Sequence, residues 1–280
     1  MGSRYDSGSG GVDRGRFLKS GWAPGLVLLA WAAAALAYDP PAPARGPLPT
    51  LVVLCDARLL PVAERAAEDL RARGLVAARL VADSTENIVQ ALARQSDAAD
   101  AIVVEDKVAV TLAVRLGAAA ESDLVTLASD RLVVAVRETA NVDPIKALLQ
   151  AGPGRVALPD PKRAPAGVHA EAALKKIGIY DRVSLRATYF ASGREAVAAL
   201  AADQADAAIA YGTDVAVVPG AKKMLALPAR SYLPLLYFGL PLAASKERER
   251  AKAFLDYLAS PALADAWLKG GFQPPPDDMP

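Results

Sequence analysis

From residue 50 onward the apolar positions of this chain alternate between two periods, and that alternation already restricts the fold. Leu51-Val52-Val53-Leu54-Cys55 is an unbroken apolar run, as suits a strand covered on both faces. Val62, Ala66 and Leu70 then recur at helical spacing and stop at Gly74. The pattern goes on to predict a strand over Val76–Ala82, a helix over Glu86–Arg94, a strand over Ala101–Val104 and a helix over Lys107–Leu116. Short strands separated by helices build βαβ units, hence an α/β architecture with a mostly parallel sheet flanked by helices.

The rhythm changes at Leu124–Val136, a long apolar and β-branched stretch that predicts a strand leaving a first lobe for a second. Asp143 as N-cap, Pro144 at the first helical position and the Ile145, Leu148, Leu149 face mark the next helix, stopped by Gly152. The alternation then resumes. Strands are expected at Arg155–Leu158, Val183–Tyr189 and Ala207–Tyr211, with helices at Val168–Lys176 and Arg194–Ala202 between them. A second crossing is expected within Leu225–Tyr237, followed by a Ser245-capped helix over Glu247–Leu258 and a short helix opened by Ser260-Pro261. Two crossings make a hinge with a cleft between lobes. The expected division is lobe one at 50–128 plus 238–280 and lobe two at 129–237.

The first 37 residues form a separate unit. Arg14, Arg16 and Lys19 precede an apolar run from Gly25 to Ala37 that ends Ala35-Leu36-Ala37. A charged start, an apolar middle and a small-residue end are the parts of an export signal peptide. The run is shorter than the roughly 20 residues that span a bilayer. Residues 38–49 carry closely spaced prolines and predict an extended linker. The net charge of the 280-residue chain is +1, and loss of the signal with its four basic and two acidic residues turns it to −1. No basic stripe is available for nucleic acid. The sole cysteine, Cys55, lies in the first apolar strand and predicts a buried thiol rather than a disulfide.

Two segments carry a family resemblance. Leu158-Pro159-Asp160-Pro161-Lys162-Arg163-Ala164-Pro165-Ala166-Gly167 is followed forty residues on by Ala210-Tyr211-Gly212-Thr213-Asp214. Together they resemble the ligand-facing half of the periplasmic molybdate-binding proteins, capture components of ABC importers with a two-lobed, type II periplasmic binding fold. The resemblance covers nearly all of the chain after residue 50, through the Ala253–Leu258 helix to Gly270-Gly271-Phe272. It implies that Ala166 and Gly193 offer main-chain N–H donors to an anion and that Tyr211 offers its hydroxyl. Helix N-termini can supply such donors without any cation. In lobe one the chain departs from the family. Arg58 stands where the family has a ligand-contacting serine, and Thr85 falls in the turn that carries its second serine. The Ser96–Asp100 segment lacks the family's proline.

Arg58 has two roles open to it. A guanidinium can clamp an oxyanion with its fixed fork, or it can pair with Asp56 or Glu86 and fill the pocket. The expected ligand is a small anion, with a molybdate- or tungstate-like oxyanion first. An organic anion or an uncharged molecule in the same fold is the alternative, as is a partner-binding accessory role outside transport. The resemblance also implies a periplasmic monomer with a transient ABC permease partner. Catalysis is not expected. The one histidine, His169, reads as a solvated or capping imidazole and cannot build a usual zinc site. No nucleophile elbow, phosphate-binding loop or dinucleotide turn occurs, so neither cofactor nor metal is expected.

Overall fold

The strand that opens lobe one, β1 (Thr50–Asp56), shows why its sequence is apolar from Leu51 to Cys55. Leu51, Val53 and Cys55 point into one layer, against Val62, Ala66 and Leu70 of α1 (Leu60–Ala72) and Phe254, Leu255 and Leu258 of α9 (Arg248–Ala259). Leu54 points into the opposite layer, with Ile88 of α2 (Thr85–Arg94) and Ala109, Val110 and Ala113 of α3 (Lys107–Arg115). Successive side chains of a strand face opposite ways, so a strand between two helical layers needs an apolar residue at each step. This computed structural model describes residues 48–94, 99–150, 152 and 155–276. The segment expected to be an export signal at 1–37, most of the expected linker and the Ser96–Ala98 part of the altered segment lie outside the described residues.

The chain continues through β2 (Ala77–Asp83), β3 (Ala101–Glu105) and β4 (Val125–Asp130), then crosses into lobe two as β5 (Leu132–Arg137). There follow α4 (Pro144–Gln150), β6 (Val156–Pro159), α5 (Pro165–Lys176), α6 (Tyr180–Ser184), β7 (Ala187–Phe190), α7 (Gly193–Ala201), β8 (Ala207–Tyr211), α8 (Gly212–Ala216) and β9 (Ala221–Ala226). The chain returns as β10 (Leu235–Pro241), and α9 and α10 (Ala264–Lys269) close it.

The two sheets share one plan, in the orders β2-β1-β3-β10-β4 and β7-β6-β8-β5-β9. In each, three parallel strands are followed by an antiparallel fourth and then an edge strand paired antiparallel to that fourth. Each sheet is therefore mostly parallel with one reversed strand. The reversed strand is where the chain enters from the other lobe, and the edge strand is where it leaves.

Sequence and structure part in three places. The single strand expected over Leu124–Val136 is divided at Arg131, because Asp130 and Leu132 belong to different sheets. The strand expected from Val183 begins only at Ala187; Val183 is fully buried on the α6 turn, so its apolar character serves a helix. Strand β9 was not expected as a separate element, since Lys222 and Lys223 interrupt the apolar alternation on which such a reading depends.

At the hinge Asp130 is buried, and its carboxylate accepts the Thr213 hydroxyl at 2.7 Å, the Thr213 N–H at 3.3 Å and the Arg131 N–H at 2.6 Å. Burial pushes it up to about 6 against those donors. The C-terminal segment straps the same place. Gln273 exchanges main-chain hydrogen bonds with Ser129, and the Gly271 carbonyl accepts Lys223 Nζ at 3.1 Å. Gly271 adopts φ +89°, and a Cβ there would lie 2.5 Å from the Gly212 carbonyl oxygen and 2.8 Å from the Ala216 Cβ. Only glycine fits both demands. Gly271→Ala should lower stability by at least about 1–2 kcal/mol, the cost of a left-handed L-residue before any clash is counted. Chemical denaturation measures it, and an unchanged midpoint would show that the strap contributes nothing.

Candidate functional site

In open α/β sheets the carboxyl ends of parallel strands are where side chains can gather without being covered by helices. Both lobes follow this rule. In lobe one β1 ends at Asp56 and β3 at Glu105, and the turn after β2 carries Thr85. In lobe two β6 leads to Ala166, β7 to Gly193, and β8 ends at Tyr211.

One carboxylate knits the lobe-one strand ends. Asp56 accepts the Arg58 N–H at 2.9 Å, the Thr85 N–H at 3.2 Å and the Thr85 hydroxyl at 2.7 Å. Thr85 Oγ1 in turn accepts the Glu105 N–H at 3.0 Å. Beside this network Arg58 Nη1 donates to Glu105 Oε2 at 2.7 Å. The guanidinium then reaches across the cleft and lies 5.4 Å from the centroid of the Tyr211 ring. A cation over an aromatic face is attracted by the ring quadrupole, more so when desolvated.

In lobe two Tyr211 is 1% exposed, and its hydroxyl shares a 2.8 Å hydrogen bond with His169 Nδ1. His169 reaches it from α5, which Pro165 opens at the first helical position. Helix α7 starts at Ser192, whose hydroxyl accepts the Glu195 N–H at 3.1 Å while Glu195 takes the Ala191 N–H at 3.3 Å. Among the described residues no acceptor takes the N–H of Ala166 or of Gly193. Asp214 sits three residues into α8, in its first turn. Its carboxylate lies over Gly193, where a Cβ would come within 2.1 Å of Oδ2.

The charges of the cleft are mutually tuned. Burial pushes Glu105 up to about 7, with Arg58 pulling the other way and Asp56 adding to the rise. Burial also raises Asp214, again opposed by Arg58. Burial lowers His169, while Asp106 across the cleft opposes that shift. Asp106 itself holds φ +76°, outside the regions open to most L-residues, as the N-cap of α3.

A family model described as bacterial extracellular solute-binding protein matches residues 51–273. The chain belongs to that family. The molybdate-binding protein ModA of Escherichia coli is 34% identical over 121 residues, 42% of this chain and 46% of that protein. The chain thus spans about half the length of the curated relatives it matches. A substrate binding domain from Clostridium difficile aligns with a TM-score of 0.75 at 17% identity, over 81% of this chain and 99% of that one. The periplasmic molybdate-binding protein of Azotobacter vinelandii aligns with a TM-score of 0.62 at 18% identity, over 81% and 100%. These two structures show the two-lobed fold.

Within this solute-binding protein the expected residues divide by lobe. Arg58 and Thr85 meet through Asp56 and Glu105, and Ala166, Gly193 and Tyr211 lie at strand and helix ends opposite. Arg58 pairs with neither Asp56 nor Glu86. The Asp56 carboxylate is taken by N–H and hydroxyl donors, and Glu86 is exposed on the first turn of α2. The Thr85 hydroxyl is likewise engaged by Asp56. His169 is neither solvated nor a cap, because its ring is half-buried against Tyr211. Asp56, Glu105 and His169 were missed as parts of the site. The available signal was a carboxylate as the last residue of an apolar strand, which holds for both Asp56 and Glu105.

Thr85→Val removes one hydroxyl that serves two partners, the buried Asp56 carboxylate and the Glu105 N–H. It should cost about 1–3 kcal/mol, as for buried polar groups left unpaired, whereas Thr85→Ser should keep most of the stability. Urea melts of the two variants test this; equal midpoints would remove Thr85 from the network.

Proposed function

We propose that this chain is the exported capture component of an ABC importer and holds a small oxyanion between Arg58 of lobe one and Tyr211 of lobe two. The observation that carries the reading is the Arg58 guanidinium seated on Tyr211 across the cleft. The untaken N–H groups of Ala166 and Gly193, at the starts of two helices, support it as further anion donors. Molybdate or tungstate is the first ligand to test, given the names of the E. coli and A. vinelandii proteins. The permease contact is transient, made by both lobes of a monomer, and the protein binds rather than transforms its solute.

A second reading keeps the fold and changes the ligand to an organic anion or an uncharged molecule. It is favoured by Asp56, which takes the main-chain and hydroxyl donors of lobe one for itself. A thermal-shift screen over molybdate, tungstate, sulfate, phosphate and organic acids separates the two. A ligand at a hundredfold excess over its Kd adds about 2.7 kcal/mol to stability. Arg58→Ala should abolish the shift produced by the binding anion. A shift that survives Arg58→Ala would take Arg58 out of the ligand site.

Residues 1–37 are read as an export signal cut after Ala37. Mass spectrometry of the periplasmic fraction should therefore find a mature N-terminus at or near Tyr38. An intact precursor held in the membrane would overturn the cleavage.

A further inference from the structure

The Arg58 guanidinium is already partly committed. One nitrogen donates to Glu105 at 2.7 Å and the face rests on Tyr211. Glu105 holds its place through the last rung of β3, where its N–H is fixed by Thr85 Oγ1 and the next residue, Asp106, takes a strained backbone. The carboxylate side chain is 14% exposed, too little for water to compensate its charge if Arg58 is withdrawn.

We propose that Glu105 is a built-in competitor of the ligand: an anion that takes the Arg58 nitrogen now bonded to Glu105 displaces that carboxylate, so Glu105 sets which anions the cleft accepts. The inference rests on the oxyanion reading above and adds a residue and a rule to it. A displaced Glu105 carboxylate faces Asp56 at the end of β1, Asp130 at the hinge, the phenols of Tyr211 on β8 and Tyr237 on β10, and the ligand's own charge. Apart from the guanidinium it has lost, every one of these groups is negative or neutral. The stable outcome is protonation of Glu105, with the proton taken from solvent as the anion binds.

The sign follows from linkage. Burial already holds Glu105 near 7, and loss of Arg58 to the ligand raises it further. Below about pH 7 the proton is present before binding and affinity is flat. Above it, binding must recruit the proton and the Kd rises up to about tenfold per pH unit. Fully deprotonated oxyanions therefore bind best on the acid side of neutral, while an anion that carries its own donor can satisfy Glu105 without that proton.

Titration calorimetry of the wild-type chain with molybdate and with sulfate, in two buffers of unlike ionisation enthalpy, counts the protons. Close to one proton per anion is expected above about pH 7. Glu105→Gln should take up none and should bind at least about tenfold tighter than wild type at about pH 8.5. Binding by the wild type without proton uptake overturns the inference, and this measurement stands even where the variant does not fold. Uptake that persists in Glu105→Gln, or a variant that binds no more tightly, overturns the assignment to Glu105 and leaves the oxyanion reading intact. No binding of either anion by either protein sinks that reading, and the inference with it.

Discussion

Lobe one depends on a single buried carboxylate. Asp56 closes β1, and its oxygens gather the N–H of Arg58 together with the N–H and hydroxyl of Thr85. Through Thr85 the same cluster fixes the N–H of Glu105 at the end of β3. Three strand ends that would otherwise show unpaired donors to a cleft are thereby held in one register. The position of Arg58 follows from this, since its backbone is tied to Asp56, and its side chain meets Glu105 at the end of β3 and the Tyr211 ring.

The cleft is a balance of internal charges. Lobe one contributes Glu105 and Arg58, and lobe two contributes Asp214 from the first turn of α8. Isolated buried charges are costly, and opposite partners at close range offset that cost only with good geometry. Arg58 supplies such geometry to Glu105 and lies within electrostatic reach of Asp214. Contacts that steady the lobes against each other are thus drawn from the same groups that a bound solute would engage. For a solute bound as proposed, affinity is a difference between two sets of partners, not a sum of new contacts.

Much of the fold was legible because its causes are local. The apolar run of β1 and the helical spacing of Val62, Ala66 and Leu70 follow from periodicity alone. The site was less legible because its contacts are distant in the chain. Arg58 and Glu105 are 47 residues apart and meet only because β1 and β3 are neighbours in the sheet. Tyr211 and His169 are 42 apart and meet because α5 lies against β8. Asp56 was a natural partner for Arg58 by proximity in sequence, and Glu86 by the turn that the resemblance puts in the pocket. Main-chain donors claimed the first, and solvent the second.

The exchange of strands between lobes also bears on how the chain is made. Lobe two is drawn from one continuous stretch, with all five of its strands between Leu132 and Ala226. Lobe one is not: β10 sits between β3 and β4, so β4 has no neighbour in its sheet until residues 235–241 arrive. The core beneath β1 needs Phe254, Leu255 and Trp267 as well. A chain emerging from its N-terminus therefore carries its first half as an incomplete sheet until nearly all of it has been synthesised. The lobe that begins first is finished last.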